Sequence, residues 1–443
     1  MLYRYAESKL ENWYCQRERK NIKPLMIRGA RQVGKSTLVR EFCRKKKLQL
    51  IEINLERHQE LAPYFKKFDI SGLLSEFEAI SNLQTNNPDS LIFLDEIQSV
   101  PEAIPCLRYF LEDRPGLPVV SAGSLLEFVL EDHEFEMPVG RVEYLHLGPM
   151  TYGEFLLAMN EQPLADGAGK FSTNLHEKRL ARFREFLFVG GMPEAVASFV
   201  ETKSQIEARN VQNRIILNYL DDFPKYAGHA HIQRIRKVFN HVPFHLGQKV
   251  KFSNISPDDQ ARDIKQAIHL LVLSQTLVPV VHSSASGLPL SSFAGEKHFK
   301  LYFLDVGLAN AMARVHWETL DYKAGENMFF ERAGSCAEQF VAQHLLNIER
   351  NSGLFSNLYY WMRESKSSNA ELDFLIERQN EIIPVEVKAG KSGKMRSLAQ
   401  FISEKAPKHA IRLDLNPASK IKLGDTILNS SPLYEAELVL SLV

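Results

Sequence analysis

Residues 371–390 read ELDFLIERQNEIIPVEVKAG: apolar and charged side chains alternate on either side of a polar Gln379-Asn380 turn, and acids and a lysine recur where a surface hairpin needs none. A turn symmetric about Gln379 and Asn380 sets Asp373 opposite Glu386 and Glu371 opposite Lys388. Alternate residues of a strand share a face, so these four are expected to project to one side and Leu372, Phe374, Ile376, Ile383, Val385 and Val387 to the other. Carboxylates on directly opposed residues, with Cβ atoms about 5 Å apart, repel by roughly 3 kcal/mol at an effective dielectric of about 20. A divalent cation between Asp373 and Glu386 would offset that cost, with Lys388 placed to steady a developing phosphorane charge or an attacking hydroxide. On this reading Asp373, Glu386 and Lys388 are the catalytic groups of a metal-dependent phosphodiesterase, and the two acids are its metal ligands. A solvated charged face, its repulsion screened by salt and relieved by Lys388, would present the same residues.

A second constellation lies near the other end. PLMIRGARQVGKSTLVREF holds Gly29-x4-Gly34-Lys35-Ser36 between an apolar run and a helical one, the context that makes this pattern a phosphate-binding loop. Gly29, Ala30, Gln32, Val33, Gly34, Lys35, Ser36 and Thr37 are the expected nucleotide contacts. Backbone N–H groups and the helix N-terminus surround phosphate oxygens, Lys35 adds a cation, and Ser36 ligates Mg²⁺. Sixty residues beyond Lys35, SLIFLDEIQSVP ends an apolar strand in Asp95-Glu96. Asp95 is expected to hold the magnesium through water, and Glu96 to orient and deprotonate the attacking water. The next apolar run, LPVVSAGSLLEF, ends in Ser124, within reach of a γ-phosphate from a neighbouring strand. Arg141 would stabilise the transferring phosphoryl group at its own site or at a neighbour's, the second case implying a homo-oligomer. No NKxD-like guanine signal occurs, so the expected cofactors are ATP and Mg²⁺.

The elements that must position these residues follow from pattern. At 443 residues the chain exceeds one ordinary core, so several domains are expected. Residues 1–150 alternate apolar runs with helical stretches, the rhythm of a parallel sheet with crossover helices. Residues 151–226 are mostly helical, punctuated by Gly190, Gly191 and Pro193. Residues 227–324 hold helical segments, a helix start at Ser256-Pro257-Asp258, and two strands, LVPVVHSS and KHFKLYFLD. Helices followed by a hairpin suggest a winged helix, the alternative being a helical connector with a β-ribbon. Residues 325–443 carry a helix, GSCAEQFVAQHLLNIE, then the hairpin, another helix and a terminal strand.

Fifty-four basic residues balance fifty-four acidic ones, so a nucleic-acid partner would be held by local patches rather than by bulk charge. Arg234, Arg236, Lys237, Lys249 and Lys251 are the candidate phosphate contacts. The basic run Arg44–Lys47 closes the P-loop helix, where cations suit the helix dipole, and is given no binding role. Cys15, Cys43, Cys106 and Cys336 have neither disulfide-framework nor zinc spacing. The histidines at 229/231 and 241/245 lack further ligands. The first residues carry charge too early for a signal peptide, and AIHLLVLSQTLVPVV, broken by polar residues and Pro279, reads as buried rather than membrane-inserted. A cytoplasmic location without membrane association is expected.

GARQVGKSTL, LIFLDEIQ, AGSLLEF, PVGRVEYLHLGPMTYGEFL, FVGGMPEAV, KLYFLDVGLA and LDFLIE with PVEVKAG, in this order, resemble prokaryotic AAA-superfamily P-loop ATPases that carry a C-terminal domain of unknown function. The resemblance implies an α/β multidomain chain: an ATPase core at 1–150, a helical lid at 151–226, a winged-helix-like region at 227–324 and a restriction-endonuclease-like domain at 325–443. The hairpin also resembles the PD-(D/E)xK pattern, with Leu372 in place of the proline. By resemblance, Glu338 is a third metal ligand, and Gln400 is a weaker candidate for binding metal-bound water or phosphate. The function this implies is a Mg²⁺-dependent ATPase whose nucleotide cycle controls a nucleic-acid-binding, nuclease-like module, DNA ahead of RNA. The alternative is an ATP-driven signalling switch that binds a protein partner and keeps the nuclease-like fold as an inert scaffold.

Overall fold

The computed structural model describes residues 2–19, 22–124, 127–128, 140–167, 169, 172–225, 229–320, 332–351, 357–363, 370–390 and 393–441. The chain divides into two compact units, Tyr3–Gly148 and Pro149–Val443, the latter joined by the first two residues. The expected inner boundaries at 226/227 and 324/325 fall outside the described residues, as do parts of the AGSLLEF and PVGRVEY stretches.

In the unit Tyr3–Gly148, strands β1 (Leu25–Arg28), β2 (Gln49–Asn54), β3 (Ser90–Asp95), β4 (Val119–Ala122) and β5 (Glu143–His146) form one sheet in the order β2-β3-β4-β1-β5. All four pairings are parallel. Parallel strands are covered on both faces, which is why they read as continuous apolar runs. Every residue of β3 is buried, and Ile92 and Leu94 join Ile51, Ile53, Phe65, Phe77, Leu107 and Phe110 in one core cluster. Because the strands run the same way, the segments leaving β1, β3 and β4 emerge at one edge of the sheet. Helix Lys35–Lys46 leaves that edge, and the lysines at its far end are spent locally, Lys45 on Glu7 and Lys46 on Glu11.

The unit Pro149–Val443 begins with helices Tyr152–Ala158, Thr173–Val189, Pro193–Thr202 and Gln205–Asp222. Its sheet comprises β6 (Leu277–Ser283), β7 (Ala294–Phe303), β8 (Leu358–Met362), β9 (Glu371–Arg378), β10 (Glu381–Val387), β11 (His409–Asp414), β12 (Ser419–Leu423) and β13 (Thr426–Pro432), ordered β12-β13-β11-β10-β9-β8-β6-β7. The hairpin expected after the helices is present as β6 and β7, and β6 also pairs parallel with β8. One sheet therefore spans both of the regions set out as 227–324 and 325–443. The helix expected to open at Ser256 starts instead at Ala261. Ser256 is occupied by donating to Asp259 at 2.8 Å, and Asp259 is drawn into ion pairs with Arg234 and Lys237. Of the described helices, none is long and apolar enough to cross a membrane.

The β9–β10 register is the one expected from the turn, from Arg378 opposite Glu381 through Phe374 opposite Val385. Strict alternation fails on the other side. Tyr359 pairs with Leu375 and Trp361 with Leu372, so two residues of β9, Asp373 and Phe374, oppose one of β8, Tyr360. The extra residue is a β-bulge at Asp373-Phe374, which resets the side-chain faces. Leu372 and Leu375 consequently enter the same apolar cluster, with Trp361, Leu398 and Phe401. Burial corrects the expectation of one charged face and one apolar face: Glu386 is only 3% exposed, and Pro384 is buried beside it.

Asp305 ties two motifs of this unit together. It is fully buried and accepts N–H bonds from Gly191 at 2.6 Å and from Leu308 at 3.0 Å, the second capping helix Val306–Met312. The GGMP and FLDVGL stretches are thus joined by one carboxylate. Replacing Asp305 by alanine strands both donors, each worth about 1–3 kcal/mol when left buried and unpaired. The expected loss is about 2–6 kcal/mol in the unfolding transition of this unit, read from the denaturant midpoint of Asp305→Ala against wild type.

Candidate active site

The loop after β1 is built on Gly29, whose φ of 156° and close approach leave no room for a side chain: a Cβ would stand 2.1 Å from the Leu147 carbonyl oxygen. Ala30 and Val33 are buried in the unit, and Arg4 donates to the Val33 carbonyl at 2.8 Å. Gln32 and Gly34 take positive φ values of 63° and 93°, which turn the chain into the first turn of helix Lys35–Lys46. Lys35 is 8% exposed, and its ammonium donates to the carbonyls of Gly29 at 2.9 Å and Ala30 at 2.8 Å. Burial lowers its pKa to about 8, against the pull of Glu96 and Asp95. Thr37, two residues further along the helix, is exposed.

Ser36 donates to the Asp95 carboxylate at 2.9 Å across the gap between β1 and β3. A hydroxyl and a carboxylate so close form the hard-oxygen pair that Mg²⁺ selects, so the residues fit that ion. Burial raises the Asp95 pKa, against the Ser36 hydrogen bond that lowers it. Glu96 adopts a left-handed backbone, φ 52°, uncommon for a non-glycine residue. Its carboxylate accepts from Gln98 at 2.6 Å and from Ser124 at 3.4 Å. Ser124 follows β4, which lies between β1 and β3, and this placement brings its hydroxyl between the phosphate loop and the acids. Gln98 was not foreseen, although its position two residues after Glu96 was the available signal.

Arg141 does not join this group. It precedes β5, which runs parallel to β1, so it lies at the opposite edge of the sheet from the loop that follows β1. Its guanidinium is half exposed and 3.9 Å from Glu112. This topology sets Arg141 away from its own phosphate loop.

The acids of the second constellation lie near one another, in company that changes their chemistry. Tyr302 donates to Glu338 at 2.7 Å. Lys300, 2% exposed, sits 2.7 Å from Glu371 and 4.0 Å from Glu338, and Lys249 pairs with Glu371 at 2.7 Å. Asp373 accepts from the Val387 N–H at 2.7 Å, just beyond the last ladder pair, and Lys388 pairs with Glu386. Burial raises Glu338 to about 8 and Glu386 to about 7, in each case helped by the neighbouring Asp373. Burial also tends to raise Glu371, but Lys300 and Lys249 outweigh it and hold that carboxyl low.

One observation bears directly on the fit of a divalent ion here: Glu386 Oε2 is buried without a hydrogen-bond partner. Among the described residues no group of three or more acids, histidines or cysteines is arranged to hold a metal, and Lys300 supplies buried positive charge to the cluster. Of the expected ligands Glu338, Asp373 and Glu386, each has one oxygen engaged, by Tyr302, the Val387 N–H and Lys388 respectively. The Lys300, Lys249 and Tyr302 contributions had no local sequence signal, because they come from β7 and the loop before helix Phe252–Ile255. Gln400 is spent on Glu404 at 2.8 Å.

Two outcomes follow. Glu96→Gln removes the base without disturbing the loop, so ATP turnover is expected to fall by about 100-fold or more while nucleotide affinity is retained, measured by steady-state turnover and equilibrium binding. Because the folded pKa of Glu386 stands near 7, above its unfolded value of about 4.3, its stabilising contribution is complete at pH 4 and lost as the pH rises through 7. Thermal melts should show wild type losing stability relative to Glu386→Gln between pH 5 and pH 8.5, and parallel curves would contradict this assignment.

Comparison with known proteins fits the first constellation best. Residues 21–156 match the model of an AAA domain, whereas residues 180–319 and 333–429 match two domains of unknown function, DUF8612 and DUF4143. A search of curated proteins returned no match. Among solved structures, the chain is similar to the Walker-type ATPase PABY2304 of Pyrococcus abyssi at 14% identity, covering 71% of this chain and 96% of that one with a TM-score of 0.44. It is also similar to the Aeropyrum pernix ORC2 protein at 11% identity, covering 71% and 94% with a TM-score of 0.36. For C. elegans PCH-2 the figures are 11% identity, 48% and 70% coverage and a TM-score of 0.32. Scores this low carry no argument. The AAA-domain match over a loop, an acid pair and a parallel sheet of this form supports an AAA-type ATPase of the P-loop family.

Proposed function

We propose that the chain is a Mg²⁺-dependent ATP hydrolase whose nucleotide cycle controls a nucleic-acid-binding module in residues 227–443. The observation that carries the first half is the convergence of Lys35, Ser36, Asp95, Glu96 and Ser124 at one edge of the five-stranded sheet. Lys35 and the loop N–H groups would orient the β- and γ-phosphates, and Ser36 and, through water, Asp95 would hold the Mg²⁺ that offsets phosphate charge. Water attacks the γ-phosphorus, the bond to the β-phosphate oxygen breaks, and ADP departs with the electron pair. Glu96, released from Gln98, takes the proton of the water. Arg141, at the far edge of its own sheet, would act on the phosphate site of a neighbouring subunit in a homo-oligomer.

The nucleic-acid half is supported by helices His229–His241 and Ala261–Leu273 followed by the β6–β7 hairpin, a winged-helix order. The candidate phosphate contacts divide. Arg234 and Lys237 are engaged with Asp259 and Asp263, while Arg236 and Lys251 are exposed. Occupation of the acid cluster by Lys300 favours binding without cleavage, and it equally suits the second reading, a switch for a protein partner that keeps this cluster as scaffold.

The discriminating experiment measures ATP turnover with and without single-stranded DNA, duplex DNA and RNA, in Mg²⁺ and Mn²⁺. Stimulation by nucleic acid, DNA ahead of RNA, with no strand cut is the expected result. Turnover indifferent to every nucleic acid would leave the protein-partner switch, and cutting lost in Lys388→Ala would return the cluster to catalysis.

A further inference from the structure

The segment between helices His229–His241 and Phe252–Ile255 borders a shallow, solvent-open pocket lined by His241, His245, Gln248, Lys249, Lys251 and Asn254 over an apolar floor that includes Val242 and Leu301. Every polar lining side chain carries a hydrogen-bond donor, and no carboxylate is among the lining residues. The two imidazoles stack with centroids 3.8 Å apart and planes 4° from parallel, forming one flat wall. Burial and the neighbouring His245 hold His241 down to about 4, so at neutral pH it is an uncharged ring and the positive charge comes from Lys249 and Lys251.

This pocket adjoins the acid cluster. The Lys249 ammonium lies 2.7 Å from Glu371, which also holds the buried Lys300. Two residues earlier, Gly247 passes so close to the cluster that a Cβ there would stand 2.4 Å from Glu338 Oε2. Lys249 therefore both lines the pocket and pairs with Glu371.

We propose that this pocket binds a phosphate group of a nucleic-acid backbone, and that the phosphate shares Lys249 with Glu371. The inference rests on the nucleic-acid reading above and deepens it by naming the contact site. Lysine, amide and imidazole N–H donors, with no carboxylate in the lining, suit a phosphodiester, whose oxygens accept and never donate. A phosphate that draws on Lys249 leaves Glu371 to Lys300, so occupancy of the pocket alters the charge balance of the acid cluster a few ångströms away.

The test uses the full chain and compares wild type with Lys251→Gln, the Lys249→Gln/Lys251→Gln double variant, and Lys422→Gln as a surface-charge control on β12. Binding of labelled single-stranded DNA, duplex DNA and RNA is measured by anisotropy across a salt series, and inorganic phosphate by competition and by direct titration. Thermal melts establish that Lys251→Gln leaves the fold intact. The expected result is a loss of about tenfold in oligonucleotide affinity for Lys251→Gln, more for the double variant, with the salt dependence falling by about one unit per lysine removed. Lys422→Gln is unchanged. Oligonucleotide binding with identical affinity and salt dependence in all four proteins overturns the pocket and leaves the nucleic-acid reading standing. Inorganic phosphate bound by wild type and lost in the double variant, with no oligonucleotide binding, retains the site as a free-anion pocket and overturns its nucleic-acid occupant. Binding of neither probe overturns both.

Discussion

A single ammonium group, that of Lys35, sets the terms for the N-terminal unit. It is withdrawn from water into a loop whose carbonyls, those of Gly29 and Ala30, are its hydrogen-bond partners, with Asp95 and Glu96 near enough to oppose its deprotonation. A desolvated cation of this kind is costly unless an anion arrives, and the cost is what makes the loop selective for phosphate. The rest of the unit holds the arrangement in place. Parallel strands aim β1, β3 and β4 at one edge, Gly29 allows the chain to pass under Leu147, and Arg4 fixes the loop by its Val33 carbonyl. Ser36 donates to Asp95 across that edge, and Glu96 accepts from Gln98 and Ser124 beside them.

The second unit answers a different electrostatic problem. Four carboxylates, Glu338, Glu371, Asp373 and Glu386, lie where burial disfavours their charge, and a metal would be the usual remedy. This chain meets much of the charge with its own side chains: Lys300 from within the sheet, Lys249 from the preceding loop and Lys388 from the end of β10. What burial and mutual repulsion do not neutralise that way is relieved by protonation, as in Glu338 and Glu386. The cluster thereby links three segments distant in sequence and connects a loop rich in donors to the hairpin.

Legibility of these features in the sequence followed the range of the interactions involved. The P-loop, the acid pair and Ser124 were readable because each is a local motif following an apolar strand. Hairpin register was readable too, since a two-residue turn fixes it. The bulge at Asp373-Phe374 was not, because it depends on how β8 pairs from the far side. Lys300 looked like one more charged residue on an alternating strand, and only the fold reveals it as a buried partner of Glu371. Arg141 failed as a local reading for a topological reason: residues just before a parallel strand lie at the wrong edge. Arg234 and Lys237 read as free cations until Asp259, more than twenty residues away, was seen to hold them.

Proton uptake on nucleotide binding tests the central claim most directly. With the Lys35 pKa near 8, a sizeable fraction of these lysines is neutral at pH 8, and the phosphates of Mg·ATP would drive them fully charged. Calorimetric titration of Mg·ATP at pH 8 in buffers of different ionisation enthalpy should therefore register uptake of about half a proton per site. Lys35→Arg, whose side chain is always charged, should take up none. Binding without uptake in the wild-type protein, or equal uptake in the arginine variant, would contradict the account of a withheld charge at the phosphate loop.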